Sequence, residues 1–499
     1  GKMPGIVVTT AVRTGPANTQ TAATATMFVA GVTERGPDGT SHLVTSLSDY
    51  EDIFGDYIST GYVHQTIETY FEEGGARAYV SRVVDESAVE ASKSLLDSAG
   101  TACINLLASG TGTWANNTSG TLGLSVQVEQ PSASASFRLK FRLNGATTPV
   151  FQTAIHTSVE TAIEEINNNP TAALYVTATA GASSNIPAVL AASYFSGGTN
   201  GSTLVDADLV TALDTFVSNL GPGAVCAPGF TSETARNALL GHAAGNNRIA
   251  IMSFDKETSV STAISEAALH TSVTDASSNE ISQFGAFYYP WVKIPSGSLT
   301  TVIPPDGYVC AKRAKVHNQY GGWNPYAGER TEANFVTGVY SSLSKTDGDN
   351  LDENFVNAIR LINNGVRIYG ARSVSSDTSN FRFIIAREVL NQITYEAEVA
   401  LEALLFLPID GRQSTFSRVG ATLVAIMDRI RTGGGLYEAF DANGKQIDPG
   451  YTVQVNNANN PVSQLATGVI KAKIGARVSS IGDTIEVEIT KSNLTSTLV

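Results

Sequence analysis

Between residues 204 and 310 the chain alternates helical and strand-like patterns, and that alternation restricts the fold more than any other feature. "GAVCAPG" (223–229) and "RIAIMSFD" (248–255) are short apolar runs of the kind a sheet buries on both faces. Between them "TSETARNALLGHAAG" (231–245) reads as a helix, with Ser232 placed to cap it. Strand, helix, strand in this order argues for an α/β layered domain. "FGAFYYPWVKIP" (284–295) and "TVIPPDGYVCAKRA" (301–314) read as further strands.

A chain of 499 residues is too long for one ordinary core, and two to four domains are expected. Residues 61–84 form a compact unit. Val63, Ile67, Tyr70 and Phe71 make a helical stripe, Gly74 and Gly75 stop it, and "AYVSRVV" follows as a strand. From about 100 to 200 the character changes. "LGLSVQVEQ" and "FRLKFRLNG" alternate as a half-exposed hairpin, and "HTSVETAIEEINN" reads as a helix with Thr157 and Glu160 spaced as a capping box. "ALYVTATA" adds a third strand, so this segment reads as an inserted α+β subdomain. The last third carries two long helical patterns. Ile385, Val389, Ile393, Ala397, Leu401 and Leu405 line one; Val419, Leu423, Met427 and Ile430 line the other, which Gly433–Gly435 end. The strands "YTVQV", "VIKAKIGARV" and "DTIEVEIT" (483–490) follow.

Composition is that of a globular protein, with 42% hydrophobic and 16% charged residues. A net charge of −14 argues against nucleic-acid binding and against adhesion to an anionic membrane. The charge is unevenly placed, acidic over 34–90 and with nine arginines over 355–431. Two solvated faces of opposite sign would account for such a division, and so would complementary surfaces on copies of one protein. Cys103, Cys226 and Cys310 show no disulfide or zinc spacing, and reduced, buried thiols are expected. Neither a signal-peptide core nor a membrane-spanning run is visible, so a soluble protein made in a reducing compartment is expected.

Chemistry is harder to find. The six histidines include no pair at metal-ligand helical spacing, and no metal site is expected. "RTGGGLYEAF" lacks the Lys-Ser/Thr of a phosphate loop and reads as a helix stop. His242, on a helix of an α/β domain, raises a serine hydrolase as an alternative, but neither Gly-x-Ser-x-Gly nor Gly-Thr-Ser-x-Ala occurs. No catalytic, cofactor-binding or metal residue is assigned.

Several stretches taken together resemble the tail sheath proteins of contractile bacteriophages, bacteriocins and secretion systems. "PGIVVTT" (4–10) is similar to the family's opening strand. "MFVAGVTERGPDGTSHLVTSLSDYEDIFG" followed by "TYFEEGGARAYVSRVV" resembles its first block. "GTWAN" and "SGGTNGS" resemble the markers framing a variable insertion. "GAVCAPGFTSETARNALLGHAAGNNRIAIM" and "IPPDGYVCAKRAKVHNQYGGWNPYAGE" resemble the central domain, and "NAIRLINNGVRIYGARSVSSD", "FRFIIAREVLNQI", "LPID" and "GGGLYEAF" the C-terminal block. The blocks occur in the family's order and cover most of the chain. Tyr369 stands where the family has Trp, "NPYAGE" is a loose version of its Pro-Ala turn, and a short "DANGK" replaces a longer strand.

The resemblance implies a multidomain α/β and α+β fold. An N-terminal arm (1–25) would precede a discontinuous, subtilisin-like central domain (26–99 and 200–350). An outward-facing insertion (100–199), a tube-facing C-terminal α+β domain (351–482) and a C-terminal arm (483–499) would complete it. It implies a non-enzymatic subunit without cofactors that polymerises around a tail tube and contracts by rigid-body rearrangement, in a phage virion assembled in the host cytoplasm. A bacteriocin or injection-system sheath is the alternative within the same physics. The implied partners are further copies of itself, the tube protein, and baseplate and terminator proteins, with no nucleic acid and no membrane insertion. Strand exchange between copies is expected through Gly5, Ile6, Val7, Val8, Thr9 and Thr10, and through Thr484, Ile485, Glu486, Val487, Glu488, Ile489 and Thr490. A rival pairing would fold "DTIEVEIT" back on "VIKAKIGARV" within one chain. Arg360, Arg367 and Arg372 are the candidate tube-facing charges, with bracing of the fold as the alternative role for Arg367 and Arg372.

Overall fold

The computed structural model describes residues 23–118, 122–131, 135–485 and 487. Its largest element is an eight-stranded sheet. In chain order the strands are β1 (Met27–Gly31), β2 (Ser41–Val44), β3 (Ala78–Arg82), β4 (Gly223–Cys226), β5 (Arg248–Met252), β6 (Gly285–Tyr289), β7 (Val356–Ile362) and β8 (Gly365–Tyr369). They lie side by side as β8-β7-β6-β5-β4-β1-β3-β2. Every pair from β7 to β3 is parallel, and an antiparallel strand closes each edge.

Helices cover both faces, as a buried parallel sheet requires. On one face pack α1 (Leu47–Phe54), α2 (Val63–Glu72) and α6 (Asp306–Tyr320). On the other pack α3 (Asp206–Asp214), α4 (Glu233–Gly245), α5 (Val260–Ala268) and α7 (Lys345–Glu353). The period of two along each strand divides the core between these layers: Met27 and Val29 face the first, Phe28 and Ala30 the second. Ser232 caps α4 as expected, its hydroxyl accepting from the Ala235 N–H.

One expected strand is a helix. Residues 301–303 end a hairpin, but from Asp306 onward the chain forms α6 instead of continuing as a strand. Pro305 precedes the helix and Asp306 occupies its first turn, both good starting residues. Its residues from Asp306 to Ala314 are all buried, including Lys312 and Arg313. A helix enclosed on every side has no polar face, so the 3.6-residue signature is missing.

The insertion folds around its own core, from Ala91 to Phe195. The hairpin Leu124–Glu129 with Arg138–Leu143 forms as read. Val176–Ala180, however, pairs with Ala102–Ala108 in a separate three-stranded sheet. That sheet also takes Ser92–Leu96, from before residue 100. The helix Val159–Asn168 is capped by Ser158, one residue later than the capping box expected at Thr157. Downstream, β7 and β8 lie in the central sheet although they fall after residue 351.

Candidate assembly surfaces

The C-terminal region has a small core of its own. α8 (Ile384–Glu402) and α9 (Ser414–Thr432) pack through Val389, Ile393, Ile426, Met427 and Ile430, with Leu436 beside them. Only the first half of the expected α8 stripe is buried. Ile385, Val389 and Ile393 are enclosed, whereas Leu405 and Phe406 are exposed beyond the helix end. Against these helices lies a two-stranded sheet, Tyr451–Gln454 paired antiparallel with Lys473–Ala476. Trp323 joins this core, and Cβ atoms added at Gly433 and Gly435 would come within 3 Å of its ring. The triple glycine thus ends a helix and also admits the indole.

After Ala476 the chain turns back along residues 435–437. Arg477 N–H donates to Gly450 O (2.7 Å), Tyr437 N–H to Arg477 O (2.8 Å) and Ser479 N–H to Gly435 O (3.0 Å). A groove of about 440 Å³ runs between residues 378–390 and 476–480, with Phe383, Ile385, Leu390 and Val478 among its lining. Beyond it Asp483 meets Arg382 at 3.4 Å. Thr484, Ile485 and Val487 belong to no strand and are exposed, Ile485 by 87% and Val487 by 73%. Glu486, Glu488, Ile489 and Thr490 lie outside the described residues. Lys473–Ala476 pairs with Tyr451–Gln454, and no pairing with the described part of 483–490 occurs. Each strand of this two-stranded sheet keeps one edge without a strand partner among the described residues.

Gly5 to Thr10 also lie outside the described residues, but the root of that segment is well defined. Arg313 donates through Nη1 to Thr24 O (2.5 Å), and His317 Nδ1 meets Thr24 Oγ1 at 3.1 Å. The Tyr70 hydroxyl donates to Ala25 O (3.1 Å), and Arg77 Nε to Thr26 Oγ1 (2.7 Å). Arg313 also grips Glu388 of α8 with two bonds, 2.6 and 2.7 Å, both side chains being fully enclosed. Burial works against the guanidinium charge, but the Glu388 carboxylate more than offsets it, and the net shift of Arg313 is upward. The preceding residue, Lys312, meets Glu73 at 2.6 Å, and the same carboxylate accepts from the backbone N–H groups of Asn334, Phe335 and Val336. Sequence reasoning passed over Arg313, Glu388 and Lys312, and placed Glu73 in the acidic stretch 34–90 as one of a solvated pair with Glu72, whereas it is fully enclosed. For Lys312 and Arg313 the one signal is charge inside an otherwise apolar stretch, "YVCAKRAKV".

The three candidate arginines are engaged within the chain. Arg372 is buried and donates to Asp352 (2.6 and 3.0 Å). Arg367 pairs with Glu332 at 2.5 Å, and Arg360, opposite it across β7 and β8, lies over the Tyr369 ring. His242 faces Arg248 Nη1 at 2.8 Å; burial first, and that cation second, hold its pKa down at about 4. Ser253 Oγ donates to the buried Asp306 (2.9 Å), whose pKa burial raises to about 6. Among the described residues no helix is long and apolar enough to cross a membrane.

The whole chain can be compared with known structures. The helical sheath of the anti-feeding prophage in its contracted state covers 99% of this chain and 100% of its own, with a TM-score of 0.54 and 15% identity. The contracted PVC sheath, from an extracellular contractile injection system, covers 99% and 98% with a TM-score of 0.56 and 14% identity. The sheath tail protein of Listeria innocua covers 87% and 89%, with a TM-score of 0.58 and 13% identity. This chain has the contractile-sheath fold. The likeness runs from the central sheet through the C-terminal region, so the resemblance seen block by block in the sequence holds for the fold as a whole. No protein-family profile and no curated protein matches the sequence.

Proposed function

We propose that this protein is a structural sheath subunit. Copies assemble helically around a tube and shorten by near-rigid movements of whole subunits, driving the tube through a cell envelope. The observation that carries this reading is the full-length correspondence with sheaths of contractile particles, two of them in the contracted state. The energy would reside in contacts between subunits, with no nucleotide and no catalytic step. The partners would be further copies, a tube protein, and baseplate and terminator proteins. The anti-feeding prophage and PVC likenesses make an extracellular injection particle as good a home as a phage tail.

Strand exchange would link the copies. Ile485 and Val487 stand in solvent outside any strand, and the sheet Tyr451–Gln454/Lys473–Ala476 has open edges, a combination suited to β-augmentation. Gly5–Thr10 and 484–490 are the segments proposed to cross. The insertion, with its separate core, would point outward, and the region from α8 onward would face the tube. Of the proposed tube-facing arginines, Arg360 is the one without an ion pair among the described residues and the best candidate.

Negative-stain electron microscopy tests the reading, comparing the full chain with one lacking residues 483–499, which keeps the Ser479–Gly435 hydrogen bond. Hollow striated tubes from the first and monomers from the second are expected. Tubes from both would remove the C-terminal exchange; monomers from both, across salt and protein concentration, would remove the sheath itself.

A further inference from the structure

Among the described residues one cluster brings a histidine and two carboxylates to a common point: Glu51, Asp56 and His64. Their ligand atoms all lie within 4.8 Å of one another. Glu51 sits in the second turn of α1, Asp56 in the loop after it, and His64 in the first turn of α2. No spacing rule would select them, because the ligands are single residues from three elements.

The cluster is built in advance. Gly55 ends α1 with φ +83°, and a Cβ there would lie 2.1 Å from a Glu34 carboxylate oxygen. That same oxygen accepts from the Asp56 N–H at 2.8 Å, fixing the turn that delivers Asp56. The buried Tyr50 ring meets the His64 imidazole edge-on, with centroids 5.8 Å apart. Nε2 is thereby aimed at Glu51 Oε1 (2.9 Å) and Asp56 Oδ1 (3.5 Å).

A proton satisfies this arrangement poorly. Nε2 carries at most one hydrogen and can serve one carboxylate; the 3.5 Å contact lies beyond normal hydrogen-bond range. Two carboxylates are left to repel each other, and Glu68, one turn beyond His64, adds a third acid on the same side. A divalent cation bound at about 2.0–2.2 Å places neighbouring donor atoms about 3–3.5 Å apart. Here Nε2 lies 2.9 and 3.5 Å from the two carboxylates and all three donors lie within 4.8 Å, so small side-chain movements would close such a shell. It would serve all three donors together and cancel the two carboxylate charges.

We propose that Glu51, Asp56 and His64 bind a divalent transition-metal ion, of the zinc class, that staples α1 to α2. One imidazole nitrogen with two carboxylate oxygens favours such an ion over calcium or magnesium, whose preferred shells are all oxygen. Asp56 is 81% exposed, so the remaining positions of the ion open to solvent.

The test uses the full chain, stripped with chelator and titrated with Co2+, followed by visible absorption, Zn2+ competition and thermal unfolding. One saturable equivalent, displaced by Zn2+ and raising Tm, is expected. His64→Gln and Glu51→Gln should abolish it. Asp56→Asn, which changes an exposed loop side chain, should weaken binding by about tenfold or more and covers the case in which His64→Gln fails to fold. Circular dichroism checks each variant. Absence of saturable Co2+ binding, or equal binding by wild type and Asp56→Asn, overturns the proposal.

Discussion

The central sheet and the C-terminal region solve the same problem in opposite ways. Both edges of the parallel array are closed by antiparallel strands, and β8 is further covered by residues 331–333, where Ala333 N–H donates to Val366 O. Two pairs of the charges buried in that core are matched, Lys312 with Glu73 and Arg313 with Glu388, while Asp306 and Arg248 are held by neutral hydrogen-bond partners. Beyond residue 436 the order reverses. Two-stranded sheets keep open edges, and Tyr437, Phe440, Ile447, Val462, Ile485 and Val487 are exposed. A region that completes its own hydrogen bonds can fold alone. One that leaves edges open and apolar side chains in water offers places where further strands can add.

The sharpest way to break this comparison is inside the central region. Arg313→Met leaves Glu388 charged and buried without its partner, and unfolding stability should fall by about 3–5 kcal/mol. Adding Glu388→Leu should restore most of it in denaturant titrations, because the pair together is close to neutral against apolar substitutes. If the single variant unfolds no more readily than wild type, the matched-pair account of the core fails.

Asp306 gives a smaller effect of opposite sign. Its folded pKa, about 6, lies above the 3.8 of the unfolded chain, so the folded state holds the proton more tightly. The stability this contributes is present below pH 3.8 and is lost as pH rises towards 6. At neutral pH Asp306→Asn should therefore stabilise the protein by up to about 3 kcal/mol and flatten stability between pH 4 and 6. Thermal unfolding across that range measures it.

The least change in stability is expected at the tail. Ile485→Asp with Val487→Asp should move the monomer's unfolding by no more than about 0.5 kcal/mol, since both side chains already stand in solvent. The same pair should prevent tube formation seen by electron microscopy. A large loss of monomer stability would instead show that these residues pack within one chain.

Legibility in the sequence follows the same division. β4, α4 and β5 were readable because each is a short apolar run or a capped amphipathic helix whose neighbours in sequence are neighbours in space. α6 was not, because burial on all sides removes the periodicity that distinguishes a helix from a buried strand. Val176–Ala180 was readable as a strand but not in its pairing, since its partner Ala102–Ala108 lies about seventy residues earlier and alternation carries no partner information. For Arg372 the sequence left a surface charge and a fold brace open, and its burial against Asp352 favours the brace. The Glu51–Asp56–His64 cluster was invisible for a related reason: three elements converge on it and none repeats a ligand.

Arg313 has a consequence beyond stability. Its guanidinium holds Thr24 on one side and Glu388 on the other, so the root of the N-terminal segment and the first turns of α8 are fastened to a single side chain. Tension applied at residue 23 would pass along the backbone into β1 and, through the Arg313 fork, directly to α8 as well, so the sheet and the C-terminal helices would be pulled together.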